Sequence, residues 1–173
     1  MKTIVIYNSQ TGFTKRYAEW IAEEAGADCL ELSAAKKKNL DAYGAIIFGG
    51  WACAGGISKL SWFKDNIEKW ADKQLIVFCV GGSPIDSPDI GPALKQNFKE
   101  SEWKKVNVFY CPGGFNYEKM SVPSKLMMKM FIKMLKAKKG KAEAEAEMIK
   151  MISSSYDISD KKYIEPILKC LTK

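Results

Sequence analysis

The chain has 173 residues, 47% of them hydrophobic, with 27 basic and 20 acidic residues and no histidine. That length favours one domain with a sizeable core, and that composition excludes a disordered chain. The lack of histidine removes Ser/His and Cys/His nucleophile pairs and imidazole metal ligands together, while a net charge of +7 points to anionic partners. Five dispersed cysteines (Cys29, Cys53, Cys79, Cys111, Cys170) form no C-x-x-C pair and read as reduced thiols. No run approaches the ~18 apolar residues of a membrane span, and the chain opens directly on a strand pattern, so a cytoplasmic protein is expected.

Thr3–Tyr7 is rich in β-branched residues and reads as a short buried strand. Ser9-Gln10-Thr11-Gly12-Phe13-Thr14 follows as a loop, then residues 15–25 carry apolar side chains at helical spacing. Residues 28–32 alternate as a more exposed strand, and Lys36-Lys37-Lys38 reads as a solvated loop. Residues 43–48 form a near-continuous apolar run, as in a parallel strand covered on both faces. The glycine-rich segment 49–56 leads to a predicted helix over 58–70, with Leu60, Phe63, Ile67 and Trp70 on one face. Residues 75–80 make the next central strand, ending in Gly81-Gly82-Ser83-Pro84, and a looser stretch leads to a short helix through Leu94 and Phe98. Residues 106–110 form the fifth strand.

Beyond it, Cys111-Pro112-Gly113-Gly114 reads as a loop, and 123–138 as a basic amphipathic helix with Lys125, Lys129, Lys133 and Lys136 spaced four, four and three apart. Lys139-Gly140-Lys141 breaks it, 142–152 is a second helix, and Asp157 and Asp160 are caps for a final helix over 160–171. Strands alternating with helices predict an open parallel sheet covered on both faces, in one domain over 1–173 with a helical insertion or extension at about 111–156.

Strand, hydroxyl-rich loop and helix in direct succession suit a phosphate. Free N–H groups at a helix start point outward and the macrodipole favours negative charge there. Ser9, Thr11 and Thr14 add hydroxyl donors, Gly12 allows close backbone approach, and neutral donors do most of the holding. The loop lacks both the Gly-Lys-Ser/Thr of a P-loop and the three-glycine dinucleotide fingerprint; as an alternative it is an ordinary capped strand-to-helix turn. In an open parallel sheet, ligands sit beyond the carboxyl ends of the strands. Three loops fall at that edge, after the first, third and fourth strands, and Trp51 offers an indole for stacking on a planar ring.

Ser-x-Thr-Gly-x-Thr after the first strand resembles the phosphate loop of the flavodoxins, which bind FMN. The resemblance covers residues 1 to about 110 and implies a flavodoxin-like doubly wound α/β fold, a five-stranded parallel sheet of order 2-1-3-4-5 with helices on both faces. It assigns Ser9, Gln10, Thr11, Gly12, Phe13 and Thr14 to the phosphate, and Gly50, Trp51 and Ala52 with Gly81, Gly82 and Ser83 to the ring. It names no catalytic residue and no metal ligand. The basic charge departs from the acidic balance usual for electron-carrying flavodoxins.

The turn Tyr110-Cys111-Pro112-Gly113 before Lys125-Leu126-Met127-Met128-Lys129-Met130 is similar to the flavodoxin-like protoporphyrinogen dehydrogenases, which pass electrons to quinones at the membrane. The resemblance implies an FMN-dependent redox enzyme or carrier, with a partner protein or a quinone as acceptor. Segment 123–138 could lie on an anionic membrane from the cytoplasmic side, its lysines against headgroups; the alternative is a core-packing helix with a solvated lysine stripe. A non-catalytic binding module on the same sheet and an NAD(P)H-dependent quinone reductase stay open as alternatives. Lysines spread along the chain without an aromatic-basic stripe argue against nucleic acid. Cys53, Cys79 and Cys111 fall near the same sheet edge, as redox-active thiols or as small buried side chains.

Overall fold

The computed structural model describes residues 1–137 and 143–171. Five strands form its centre: β1 Thr3–Tyr7, β2 Asp28–Glu31, β3 Ala45–Cys53, β5 Gln74–Gly81 and β6 Asn107–Pro112, ordered β2-β1-β3-β5-β6 and all parallel. This is the doubly wound order expected from the sequence, since the intervening β4, Gly56–Ile57, is a two-residue antiparallel arm on the end of β3. The apolar runs have their cause here. Ile46, Ile47, Phe48, Ile76, Val77 and Phe78 are fully buried because β3 and β5 lie between strands and under helices on both faces.

One layer packs α1, Phe13–Ala25, and the C-terminal Lys161–Ile164 turn and α8, Glu165–Leu171, over Val5, Ile47, Ile76 and Phe78. The opposite layer packs the short α2, Leu32–Ala35, with Leu60, Phe63, Ile67, Trp70, Leu94 and Phe98 over Ile4, Ile46, Phe48 and Val77. The helix predicted over 58–70 is shorter than expected: α3 spans Leu60–Lys64 and the chain continues in turns to Trp70, yet the same four side chains are buried. Tertiary burial selects the apolar face while local turns replace the helix. The helix expected through Leu94 and Phe98 divides into α4, Ile90–Lys95, and α5, Glu100–Trp103.

After β6, a two-stranded ribbon pairs β7, Gly114–Phe115, with β8, Tyr156–Asp157. Between its arms run α6, Val122–Ala137, and α7, Glu143–Ile152. The loop expected at 111–114 is thus strand at both ends: β6 runs on through Pro112, and Gly114 begins β7. The predicted break at Lys139-Gly140-Lys141, and the helix ends at Lys138 and Ala142, lie outside the described residues. Asp160 caps the last helical segment as expected, its carboxylate accepting from Lys162 N at 2.9 Å. No described helix is long and apolar enough to cross a membrane.

Candidate functional site

The turn between β1 and α1 is held open. Gly12 sits at φ 103, a conformation that favours glycine, and a Cβ there would meet nothing within 4 Å. Its N–H donates to Ser9 Oγ at 3.2 Å and its carbonyl accepts from Arg16 N at 3.0 Å, so Gly12 caps the helix. The N–H groups of Phe13, Thr14 and Lys15 have no intrahelical acceptor, as in any first helical turn. No acidic residue occupies that turn to repel an anion.

Two hollows flank this turn. One of about 310 Å³ is lined by Tyr7, Ser9, Gln10, Thr11, Gly12, Lys15, Glu31 and Lys119. The other, about 470 Å³, lies between Thr11, Gly12, Phe13 and Arg16 on one side and Phe115, Asn116, Tyr156 and Asp157 on the other. Ser9 and Thr11 therefore face open space, whereas Thr14 is buried, 1% exposed, and lines neither hollow. Gln10 is exposed and donates to Ser121 Oγ at 3.2 Å, tying the turn to the start of α6.

Positive charge reaches this place from sources that reading the loop alone misses. Lys15 and Lys119 line both hollows. Arg16 lines the larger one and anchors the ribbon, with Nη1 2.6 Å from Asp157 Oδ2 and donating to Ser159 Oγ at 2.6 Å. Partial burial opposes ionisation of Asp157, but its bonds with Arg16 and Ser159 outweigh that and hold its carboxyl below the usual range. Lys119 and the aromatic wall of Phe115 and Tyr156 come from a segment a hundred residues downstream.

The ring-side residues are arranged differently from the expectation of flexible glycine loops. Trp51 is not at a loop tip: β3 extends through Cys53, its turn lies at Ala54-Gly55, and Trp51 pairs in register with Val80. The indole is half-buried and Ala52 beside it is exposed. Gly50 is interior: a Cβ there would meet Ile57 Cγ2 and Ser58 O, each at 2.6 Å, so its glycine admits the β4 arm and its backbone is not left free. Gly81 is buried in β5, where its carbonyl accepts from Gly113 N at 2.7 Å. Gly82 O accepts from Tyr156 Oη at 2.6 Å, and Ser83 N donates to Tyr110 Oη, which donates back to Ser83 O, both at 2.9 Å. Burial raises the phenol pKa of both tyrosines, so each stays a neutral donor. The structure thus joins Ser9, Thr11 and Gly12 to two hollows, while Gly50, Trp51, Ala52, Gly81, Gly82 and Ser83 line neither of them.

Cys79 and Cys111 are buried among apolar side chains, and burial pushes the Cys79 thiol up to about 12. They pack as small apolar residues. Among the described residues no cluster of acidic and cysteine side chains could hold a metal ion.

Parallel strand order and an open phosphate-type turn after β1 define a flavodoxin-like α/β protein. Residues 4–142 match the family model described as Flavodoxin domain, and the chain belongs to that family. Among solved structures it is similar to the flavodoxin, WrbA-like protein from Agrobacterium tumefaciens, at 22% identity over 88% of this chain and 97% of that one, with a TM-score of 0.49. It is also similar to the Trp repressor binding protein from Bacillus subtilis, at 20% identity over 66% and 85%, TM-score 0.49. A third likeness is to oxidised Flavodoxin 2 from Bacillus cereus, at 19% identity over 65% and 86%, TM-score 0.43. No curated protein matches the sequence.

Proposed function

We propose that this chain works as one flavodoxin-like domain that binds FMN and serves in electron transfer, as a redox enzyme or carrier in the cytoplasm. The observation that carries the reading is the turn at Gly12, where backbone and hydroxyl donors face an open hollow beside two lysines. That donor set fits a phosphate monoester: first-turn N–H groups, Ser9, Thr11 and the helix dipole supply the hydrogen bonds, and Lys15 and Lys119 the charge. Trp51, Ala52, Gly82 and Ser83 would border the ring, Ala52 and Ser83 being exposed and Gly82 and the indole half-buried. A bound flavin supplies the electron acceptance and release; the protein binds, orients and shields it. Family membership supports the same reading.

We further propose a quinone or a partner protein as the acceptor, in the manner of the protoporphyrinogen dehydrogenases that the 110–130 region resembles. A second reading, a non-catalytic binding module, is favoured by one observation: Tyr110, Phe115 and Tyr156 close over Gly82 and Ser83. Flavin fluorescence separates them. FMN titrated into the purified chain is expected to bind at micromolar concentration or tighter, and riboflavin, lacking the phosphate, at least about tenfold more weakly. A chain that leaves FMN fluorescence unchanged is the binding module. One that binds both flavins equally does not use the Gly12 turn.

A further inference from the structure

The exposed apolar side chains are concentrated in one place. Of the nine large hydrophobics that stand exposed among the described residues, seven belong to the α6–α7 hairpin: Val122, Leu126, Met127, Met130, Phe131, Met134 and Met148. Leu126 is 59% exposed and Met130 64%. The hairpin already has a core, because Leu135, Ile149 and Ile152 are buried with Met128, Ile132 and Phe115 packed against them. At 3.6 residues per turn, Met128, Ile132 and Leu135 share the inward face of α6. Leu126, Met127, Met130, Phe131 and Met134 fall on the opposite arc, so this helix is apolar on two faces and only one is covered.

Lys125, Lys129, Lys133 and Lys136 run along one flank between those faces. Charge identifies the occupant. Residues 119–141 contain eight of the chain's lysines and no Asp or Glu, leaving 19 basic against 20 acidic residues elsewhere. Four of those lysines stand on α6 beside the uncovered apolar arc, and the stretch as a whole holds the chain's excess of positive charge. An apolar strip flanked by lysines and free of acids is the pattern of a helix that lies in the plane of a lipid surface. Methionines adapt to a surface without fixed shape, and lysine stems reach from the apolar level to the headgroups.

We propose that the outward face of α6 docks on an anionic lipid bilayer, with Leu126, Met130 and Met134 in the acyl boundary and the lysine flank against the headgroups. This docking is independent of the flavin reading, since no residue of the Gly12 turn takes part in it. The full chain is sedimented with vesicles of phosphatidylcholine alone and of phosphatidylcholine mixed with phosphatidylglycerol, at low and at physiological salt. Binding to the mixed vesicles, weakened by salt and faint on neutral ones, is the expected result. Lys129→Gln with Lys133→Gln should reduce partitioning about thirtyfold. Leu126→Ser with Met130→Ser should abolish it while circular dichroism and FMN binding stay at wild-type level, because both side chains point away from the hairpin core. A chain that stays in the supernatant with anionic vesicles at low salt overturns the proposal, as does equal binding to neutral vesicles or wild-type binding by both variants. So does a dimer, dissociated by the same Leu126→Ser and Met130→Ser pair, with no vesicle binding: a second copy then covers the face.

Discussion

The parallel sheet and the α6–α7 hairpin use similar amounts of apolar sequence to opposite ends. In the sheet, successive residues of β3 and β5 are buried without interruption from Ala45 to Gly50 and from Leu75 to Gly81. Among the described residues of the hairpin only Leu135, Ile149 and Ile152 are buried, and Leu126, Met127, Met130, Phe131 and Met134 of α6 are exposed. A central strand has neighbours on four sides, two strands and two helical layers, so apolar content becomes core. A helix on the rim has one neighbour, so the same content becomes surface. The two regions also differ in charge: residues 122–152 hold eight basic and three acidic residues, and the rest of the chain 19 basic and 17 acidic. Most of the basic balance that sets this chain apart from acidic flavodoxins thus lies in that one segment.

The largest effect should come from opening the core. Phe78 is fully buried and its ring lies where a Cβ on Gly49 would stand, 2.1 Å from that position. Phe78→Ala should lower unfolding stability by about 3–5 kcal/mol, read as a shift of the urea midpoint with unchanged slope. A smaller loss would mean that β3 and β5 can collapse into the void, and that the sheet is less rigid than its burial implies.

Next is the turn proposed to hold the phosphate. Gly12→Ala places a Cβ in open space but forces a φ of 103, so it should cost about 1–2 kcal/mol of stability. It should also weaken FMN more than riboflavin, because the strain falls on the amides assigned to the phosphate. Equal weakening of both flavins would move the recognition elsewhere.

Much of this was legible before any coordinates. The open parallel sheet follows from the alternation of apolar runs and helical periods, its strand order from the resemblance to the flavodoxins, and the Gly12 turn from six residues read in place. Trp51 was misplaced because glycines at 49 and 50 look like a loop; they are strand positions emptied for Phe78, Ile57 and Ser58 to pack against. Nothing local announces that Lys119 and Tyr156 return to the sheet edge, since that contact is made by a ribbon closed over some forty intervening residues. The direction in which α6 faces was likewise open, because both of its apolar arcs satisfy the helical period.

The ribbon's anchor offers a milder test of how firmly the hairpin is tied to the sheet. Asp157 pairs with Arg16 and accepts from Ser159 N and Oγ, and its carboxyl is lowered below the usual 3.8. A lowered folded pKa contributes stability above the unfolded value and loses it as pH falls through the folded one. Asp157→Asn should therefore cost about 0.5–1 kcal/mol at neutral pH, discounted for a half-exposed pair, and nothing once the pH is well below 3.8. A deficit that persists undiminished in acid would assign the role of Asp157 to its loop geometry and not to its charge.

The smallest effect belongs to the outer face of α6. Met130 is 64% exposed and is not part of the hairpin core around Leu135. Met130→Ser should change unfolding stability by less than about 0.5 kcal/mol, against the several lost at Phe78. The same substitution should reduce partitioning to anionic vesicles, because the removed thioether is among the most exposed apolar groups of the strip. Stability and surface binding would then respond to separate residues of one helix, Leu135 for the first and Met130 for the second. If Met130→Ser instead destabilises the chain as a core substitution would, the outward arc is packed against something in solution, and the contrast between sheet and hairpin fails at that face.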